Sequence, residues 1–154
     1  MATSQKDRMI AGETYLPGDP ELVAMRKRAQ MLMRDYNATA YGDDTDRKRI
    51  LDMLLGSHDG AVIRPPFYVD YGSNIHFAQG VFLNYGCVLL DVCPIHIGAD
   101  TQIGPGTQIL TADHPHDPAE PAKGLEMGKP INIGANVCIA AGALLLPGVT
   151  IGDH

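Results

Sequence analysis

The sequence predicts a mainly β protein, a parallel β-helix closed at its N-terminal end by helices. Aliphatic residues return every six positions from residue 69 onward, and helical spacing is confined to the first 57 residues. The aliphatic series runs Val69, Ile75, Val81 and Cys87, slips by four, and resumes at Ile97, Ile103 and Ile109. After a Pro-rich interruption it resumes again at Ile133, Ile139, Leu145 and Ile151. Four residues after many of these stands a small or β-branched residue: Ser73, Thr101, Thr107, Val137, Ala143 and Val149. Gly follows directly at Gly98, Gly104, Gly134 and Gly152. Each hexapeptide supplies a short strand and a turn, with the aliphatic inward and Gly or Asn at the corner. Scattered strands of a sandwich do not hold a period of six in three separate blocks.

The helices follow from their start signals and spacing. Asp19-Pro20 places an N-cap before a proline at the first helical position. Leu22, Met25, Ala29, Leu32, Met33 and Tyr36 then form one apolar face, and Asn37 ends it. A second helix is expected over Asp46–Leu55, with Ile50, Met53 and Leu54 inward and Gly56 as its stop. The chain therefore divides into a helical module over 1–57 and a repeat region over 58–154, with a loop inserted at 112–130. The segment PHDPAEPAKG within that loop is too rich in proline for a helix or an inner strand.

Composition narrows the function. Residues 1–64 hold ten Lys/Arg and ten Asp/Glu, whereas residues 65–154 hold two Lys against eight acids. An acidic second half is a poor partner for nucleic acid. No apolar run approaches a membrane span, and no secretory signal opens the chain. Cys87, Cys93 and Cys138 form no CxxC pair, so a reducing cytoplasm is the expected setting. A solenoid needs both ends covered. The chain stops four residues into a hexapeptide at VTIGDH, which predicts a last rung covered by another subunit or a shortened form.

The segments MIAGETY, MRDYNAT, YGSNIHF, LLDVCPIHIG, TADHPHDP, GKPINIGANV and PGVTIGD, in that order, resemble the maltose and galactoside O-acetyltransferases, a group that includes the nodulation acetyltransferases. The resemblance covers essentially the whole chain, apart from C-terminal coils that the family carries beyond it. It implies a left-handed β-helix, a homotrimer, acetyl-CoA as donor and a sugar hydroxyl as acceptor, with active sites between neighbouring subunits. No metal is expected.

The resemblance also assigns residues. The family's catalytic histidine corresponds to His114 in the DHP segment. A neutral imidazole can take the proton of a sugar hydroxyl as it attacks a thioester, and Pro115 restricts the backbone of His114 to extended geometry. His116 is read as a loop residue. Asp70 and Asp91 match acceptor contacts, and Asp19 and Arg26 match weaker ones. Asn84 matches a residue beside the thioester, and Ala140 and Ala141 stand where small residues line the pantetheine channel. Asn84 and Asp91 are also ordinary corner residues, and Asp19 is equally an N-cap. His76 and His96 flank inward aliphatics and are expected to face outward. Two other readings stand beside the acetyltransferase. One is a zinc hydratase like the γ-class carbonic anhydrases, which would need His76, His96 and His114 to converge. The other is a non-catalytic, truncated subunit. A neighbouring reading within the same class is an amino-sugar or antibiotic acetyltransferase.

Overall fold

A computed structural model describes residues 3–115 and 124–154. Helix α1 (Gln5–Ile10) starts in a capping box between Ser4 and Asp7. Helix α2 (Pro20–Asn37) is capped by Asp19, whose carboxylate accepts the Glu21 N–H at 3.0 Å. Helix α3 runs over Asp44–Leu54. Its buried residues are Ile50, Leu51 and Leu54, while Met53 faces outward. No helix among the described residues is long and apolar enough to cross a membrane.

From Val62 the chain winds into four coils. The first contains β1 (Val62–Ile63), β2 (Tyr68–Val69) and β3 (Ile75–Phe77). The second contains β4 (Phe82–Leu83), β5 (Val88–Leu90) and β6 (Ile95–Ile97). In the third, β7 (Gln102–Ile103) and β8 (Gln108–Leu110) are followed by a short antiparallel pair, β9 (Ala112–Asp113) and β10 (Met127–Gly128), and then β11 (Ile131–Ile133). The fourth contains β12 (Cys138–Ile139), β13 (Leu144–Leu145) and β14 (Thr150–Ile151). Parallel pairing between coils makes a three-faced prism: β1-β4-β7-β12 on the first face, β2-β5-β8-β13 on the second and β3-β6-β11-β14 on the third.

The pairing register shows which side chains stack in the core. Ile63, Leu83, Ile103 and Ile139 form the first column. Val69, Leu89, Ile109 and Leu145 form the second, and Phe77, Ile97, Ile133 and Ile151 the third. Val81 and Cys87 are fully buried, yet they do not belong to these columns. Ile75 is inward as the six-residue period predicts and heads a further column with Ile95 and Ile131, two residues before Phe77 on the same face. Leu83 and Leu89 stand two residues beyond Val81 and Cys87, and all four are inward.

The glycines divide by physical role. Left-handed backbone occurs at Gly86, Gly106 and Gly142 on the edge between first and second faces. Gly98 has no such φ; a Cβ there would stand 2.4 Å from the Gly134 carbonyl carbon in the next coil. It serves close approach between coils rather than turning.

The open end of the first coil is closed by helices. The Tyr36 hydroxyl donates to the Ile63 carbonyl at 2.6 Å. Asn37 exchanges hydrogen bonds with the backbone of Phe67, at 2.8 and 3.0 Å. These bonds satisfy a strand edge that would otherwise be exposed. A second apolar cluster of Met9, Tyr15, Leu22, Tyr71, Val92 and Cys93 fastens α1 and the start of α2 to the edge between second and third faces.

That edge is also where the coils are irregular. Its backbone is held by Asp91, which is fully buried. One carboxylate oxygen accepts the N–H groups of Asp70 and Tyr71 at 3.1 and 2.9 Å, and the other accepts Asn74 N–H at 3.2 Å. Two stability predictions follow from this arrangement and from the columns. Leu89→Ala, in the middle of the second column, should cost roughly 2–5 kcal/mol, read as a lower denaturant midpoint at unchanged slope, with a smaller loss for half-buried Ile151→Ala. Asp91→Asn replaces one accepting oxygen with an amide that faces N–H donors, and should cost roughly 1–3 kcal/mol in the same measurement.

Candidate active site

The loop that interrupts the third coil leaves from β9 and returns through β10, so Asp113 pairs with Met127 and Ala112 with Gly128. His114 follows β9 directly and is exposed, with its N–H held by the Asp113 carboxylate at 2.8 Å. His116 lies outside the described residues. Beside His114 is a cleft of about 440 Å³ on the edge between second and third faces. Its polar lining is Arg26 from α2, Asp70 and Tyr71 from the first coil, His114, and Glu126 at the return of the loop.

Arg26, Tyr71 and Glu126 are each held by a hydrogen bond. The Arg26 guanidinium donates to the Tyr71 hydroxyl at 2.6 Å and to the Pro17 carbonyl at 2.7 Å. The Tyr15 hydroxyl donates to Glu126 at 2.8 Å, and the two backbones form an isolated antiparallel bridge. Burial raises the pKa of Asp70, Glu126 adds to the rise, and Arg26 opposes it. Burial likewise raises the Tyr71 hydroxyl against the pull of Arg26, which keeps it neutral as a hydrogen-bonding group. The cleft thus presents two carboxylates, a guanidinium, a phenol and an imidazole. Carboxylates accept hydroxyl protons and the imidazole can remove one, which suits a ligand rich in hydroxyls.

The structure brings His114, Arg26 and Asp70 to one cleft and places the other sequence-derived candidates elsewhere. Asp91 lies beneath the cleft with its carboxylate oxygens turned to backbone N–H groups, so its contact is with the corner and not with a ligand. Asp19 is engaged as the N-cap of α2 and does not line the cleft. Asn84, Ala140 and Ala141 lie on a different edge, between first and second faces, in the second and fourth coils. The Asn84 side chain accepts the Tyr85 N–H at 2.9 Å. Ala140 and Ala141 are exposed, and Gly104 in the coil before them leaves no room for a Cβ, which would stand 2.6 Å from Ala141 N. One whole face of the prism therefore separates the two groups of candidates within a chain.

Glu126 and Tyr71 were not singled out from the sequence. Glu126 lies in the loop segment GLEMG, where no periodicity marks it, and Tyr71 precedes a glycine in what reads as a turn. The signal available was partial: a lone acid near the end of a loop that already held the candidate base. His76 and His96 lie on the outer side of the third face, paired in register, with rings stacked 4.9 Å apart. They line a different surface from His114, and no three His, Cys, Asp or Glu side chains among the described residues are grouped to share a metal. Within one chain the three imidazoles therefore do not converge.

Comparison with known proteins agrees with this layout. Residues 8–60 match the maltose acetyltransferase hexapeptide capping motif. Nodulation protein L of Rhizobium leguminosarum bv. viciae is 49% identical over 152 residues, covering 97% of this chain and 80% of the relative. The crystal structure of a maltose O-acetyltransferase from Clostridium difficile 630 superposes with a TM-score of 0.95 at 39% identity, over 99% of this chain and 82% of that one. A hexapeptide-repeat acetyltransferase from Vibrio cholerae O1 biovar eltor, solved with acetyl-CoA, gives a TM-score of 0.87 at 32% identity, over 98% and 82% of the two chains. With identity and coverage of this extent, the chain belongs to the maltose acetyltransferase family of hexapeptide-repeat acetyltransferases, whose coils wind as a left-handed parallel β-helix.

Proposed function

We propose that this protein transfers the acetyl group of acetyl-CoA to a hydroxyl of a sugar such as maltose, glucose or a galactoside, with His114 as general base. The observation that carries this reading is the cleft in which His114 shares a surface with Asp70, Glu126 and Arg26. The acetyl-CoA complex of the Vibrio cholerae relative and the maltose O-acetyltransferase from Clostridium difficile support donor and acceptor class.

In the proposed reaction, neutral His114 accepts the hydroxyl proton while the sugar oxygen attacks the thioester carbonyl. The tetrahedral oxyanion is stabilised by N–H donors. It collapses with cleavage of the carbon–sulfur bond, and the imidazolium returns its proton to the departing thiolate. The products are an acetyl ester and CoA. Asp70, Glu126 and Arg26 bind and orient the acceptor ring, and Asp91 positions Asp70 and Tyr71 through the backbone. Asn84 stands by the thioester, and Ala140 and Ala141 line the channel for the pantetheine arm. The helical module over 1–57 supplies Arg26, and the repeat region over 58–154 supplies the remainder.

The donor and acceptor residues lie on different edges, so the reading requires subunits to meet. The outer side of the second face, between those edges, carries exposed Tyr68, Leu144 and Leu146 together with half-buried Val88, Leu90 and Leu110. An apolar face of this kind supports association. If three copies turn this face towards a common axis, the His114 edge of one meets the Asn84 edge of the next. A cyclic homotrimer then has three equivalent active sites.

Two outcomes test this reading. His114→Ala, a change at an exposed loop position, should lower kcat for acetyl transfer to maltose by roughly 10²–10⁴-fold and leave the thermal midpoint where it was. An unchanged kcat would remove His114 from the chemistry. Mixing refolded His114→Ala and Asn84→Ala subunits should restore activity that neither variant has alone, because about one interface in four on random mixing carries both intact edges. Absence of complementation in verified mixed trimers would confine each site to a single subunit.

A further inference from the structure

A second polar cleft, of about 610 Å³, lies on the Asn84 edge at the helix-capped end of the prism. Among the residues lining it are Arg64 and Arg47, with Asp44, Phe82 and Tyr85. The Arg64 guanidinium lies over two rings, 5.2 Å from the centre of Phe82 and 5.0 Å from that of Tyr85. Contact with two ring faces restricts the side chain, so less rotamer freedom remains to be lost on binding. One N–H makes a long contact of 3.5 Å with the Asn84 side-chain oxygen. Arg47, from α3, is anchored to the Thr39 hydroxyl at 2.8 Å. Arg34 and Arg49 are paired with carboxylates, but neither Arg47 nor Arg64 forms an ion pair among the described residues. Asp44 lines the cleft without engaging either of them. Two preorganised guanidinium groups thus share one cleft with aromatic rings.

Position along the edge says which substrate the cleft meets. This step rests on the proposed acetyltransferase reading. Ala140 and Ala141 of the fourth coil line the donor arm, and Asn84 of the second coil marks the thioester. Arg64 stands one coil further from the donor, about 5 Å beyond Asn84 by the spacing of paired strands. Space on that side of the thioester belongs to the acceptor. We propose that the Arg64 cleft binds a carboxylate or phosphate carried by the sugar acceptor, and that Arg64 makes the enzyme selective for anionic glycosides over neutral ones. The reacting ring occupies the His114 cleft of one subunit while the anionic substituent reaches Arg64 of the next. The phosphates of CoA carry the same chemistry, and the experiment separates the two sources.

Isothermal titration of the full-length protein with p-nitrophenyl β-glucuronide, p-nitrophenyl β-glucoside and acetyl-CoA reads the site without turnover. The glucuronide should bind about tenfold more tightly than the glucoside. Arg64→Gln should bring that ratio close to one, and Arg64→Lys should retain part of it. Added salt should erode the preference in the unaltered protein, a reading that needs no folded variant. Equal affinity for the two glycosides in the unaltered protein overturns the proposal. So does an Arg64→Gln variant that weakens acetyl-CoA tenfold and spares the glucuronide, which would give the cleft to the CoA phosphates. Acetylation of both glycosides is followed separately. Glucuronide binding that depends on Arg64 without any acetyl transfer would overturn the acetyltransferase reading and keep the anion site. Transfer to both without preference would do the reverse.

Discussion

Coil must stack on coil with one aliphatic side chain above another, and this constraint decides where the chain can vary. The first and second columns advance by six residues within each coil, as do the turns from third face to first. A change of length there would move every later inward side chain out of its column. The edge between second and third faces is the exception. It takes eight residues in the first two coils, twenty-four in the third and six in the fourth, counted between column residues Val69 and Phe77, Leu89 and Ile97, Ile109 and Ile133, and Leu145 and Ile151. The added residues include Asp70, Tyr71, Asp91 and the loop with His114. The cleft that holds His114, Asp70 and Tyr71 forms on the one edge where the column rule tolerates extra chain.

Extra chain brings its own difficulty, since a longer corner has backbone N–H groups with no strand partner above or below. Asp91 answers it by accepting three of them. Burial pushes its pKa up and Asp70 adds to the rise, while the backbone N–H donors around it oppose both by favouring the charged form, which leaves the group raised to about 7. Both oxygens face N–H donors, so a proton on either would displace a donor. The same residue closes the other side of the corner, where its backbone carbonyl accepts the Asn74 amide at 2.7 Å. Matching Asp91 by position to an acceptor contact therefore identified the right place and the wrong partner. It acts on Asp70 and Tyr71, and they face the cleft.

What the sequence could show follows from what repeats. A period of six is visible without any partner, and so is an N-cap followed by proline; α2 begins and ends where those signals place it. Register was less accessible. Ile75 and Phe77 are both inward and pair with Ile95 and Ile97, and the six-residue period marks only one of the two. Met53, expected inward, is exposed because it and Leu51 flank the Ile50–Leu54 stripe of α3 on opposite sides, and the rotation of the helix against the first coil covers Leu51. Cleft residues were legible only where a motif named them. His114 lies in TADHPHDP and Asp70 directly precedes YGSNIHF, whereas Glu126 depends on a long-range bond to Tyr15 across 111 residues. A contact of that range leaves no local pattern.

The charges on the two edges bear on how copies would meet. The His114 edge offers the carboxylates of Asp70 and Glu126 with a single guanidinium, and that guanidinium is already bonded to Tyr71 and Pro17. The Asn84 edge offers Arg47 and Arg64 against Asp44. In the proposed trimer these edges face one another, acidic against basic, on either side of the apolar second face. Apolar area between them would favour association in any orientation. Opposed charges favour the orientation that brings unlike edges together, because pairing two His114 edges would set carboxylates against carboxylates. The same complementarity leaves a polar channel between subunits that a sugar can span, with hydroxyls towards the carboxylates and any anionic substituent towards the arginines. Assembly and substrate selection would then depend on one distribution of charge.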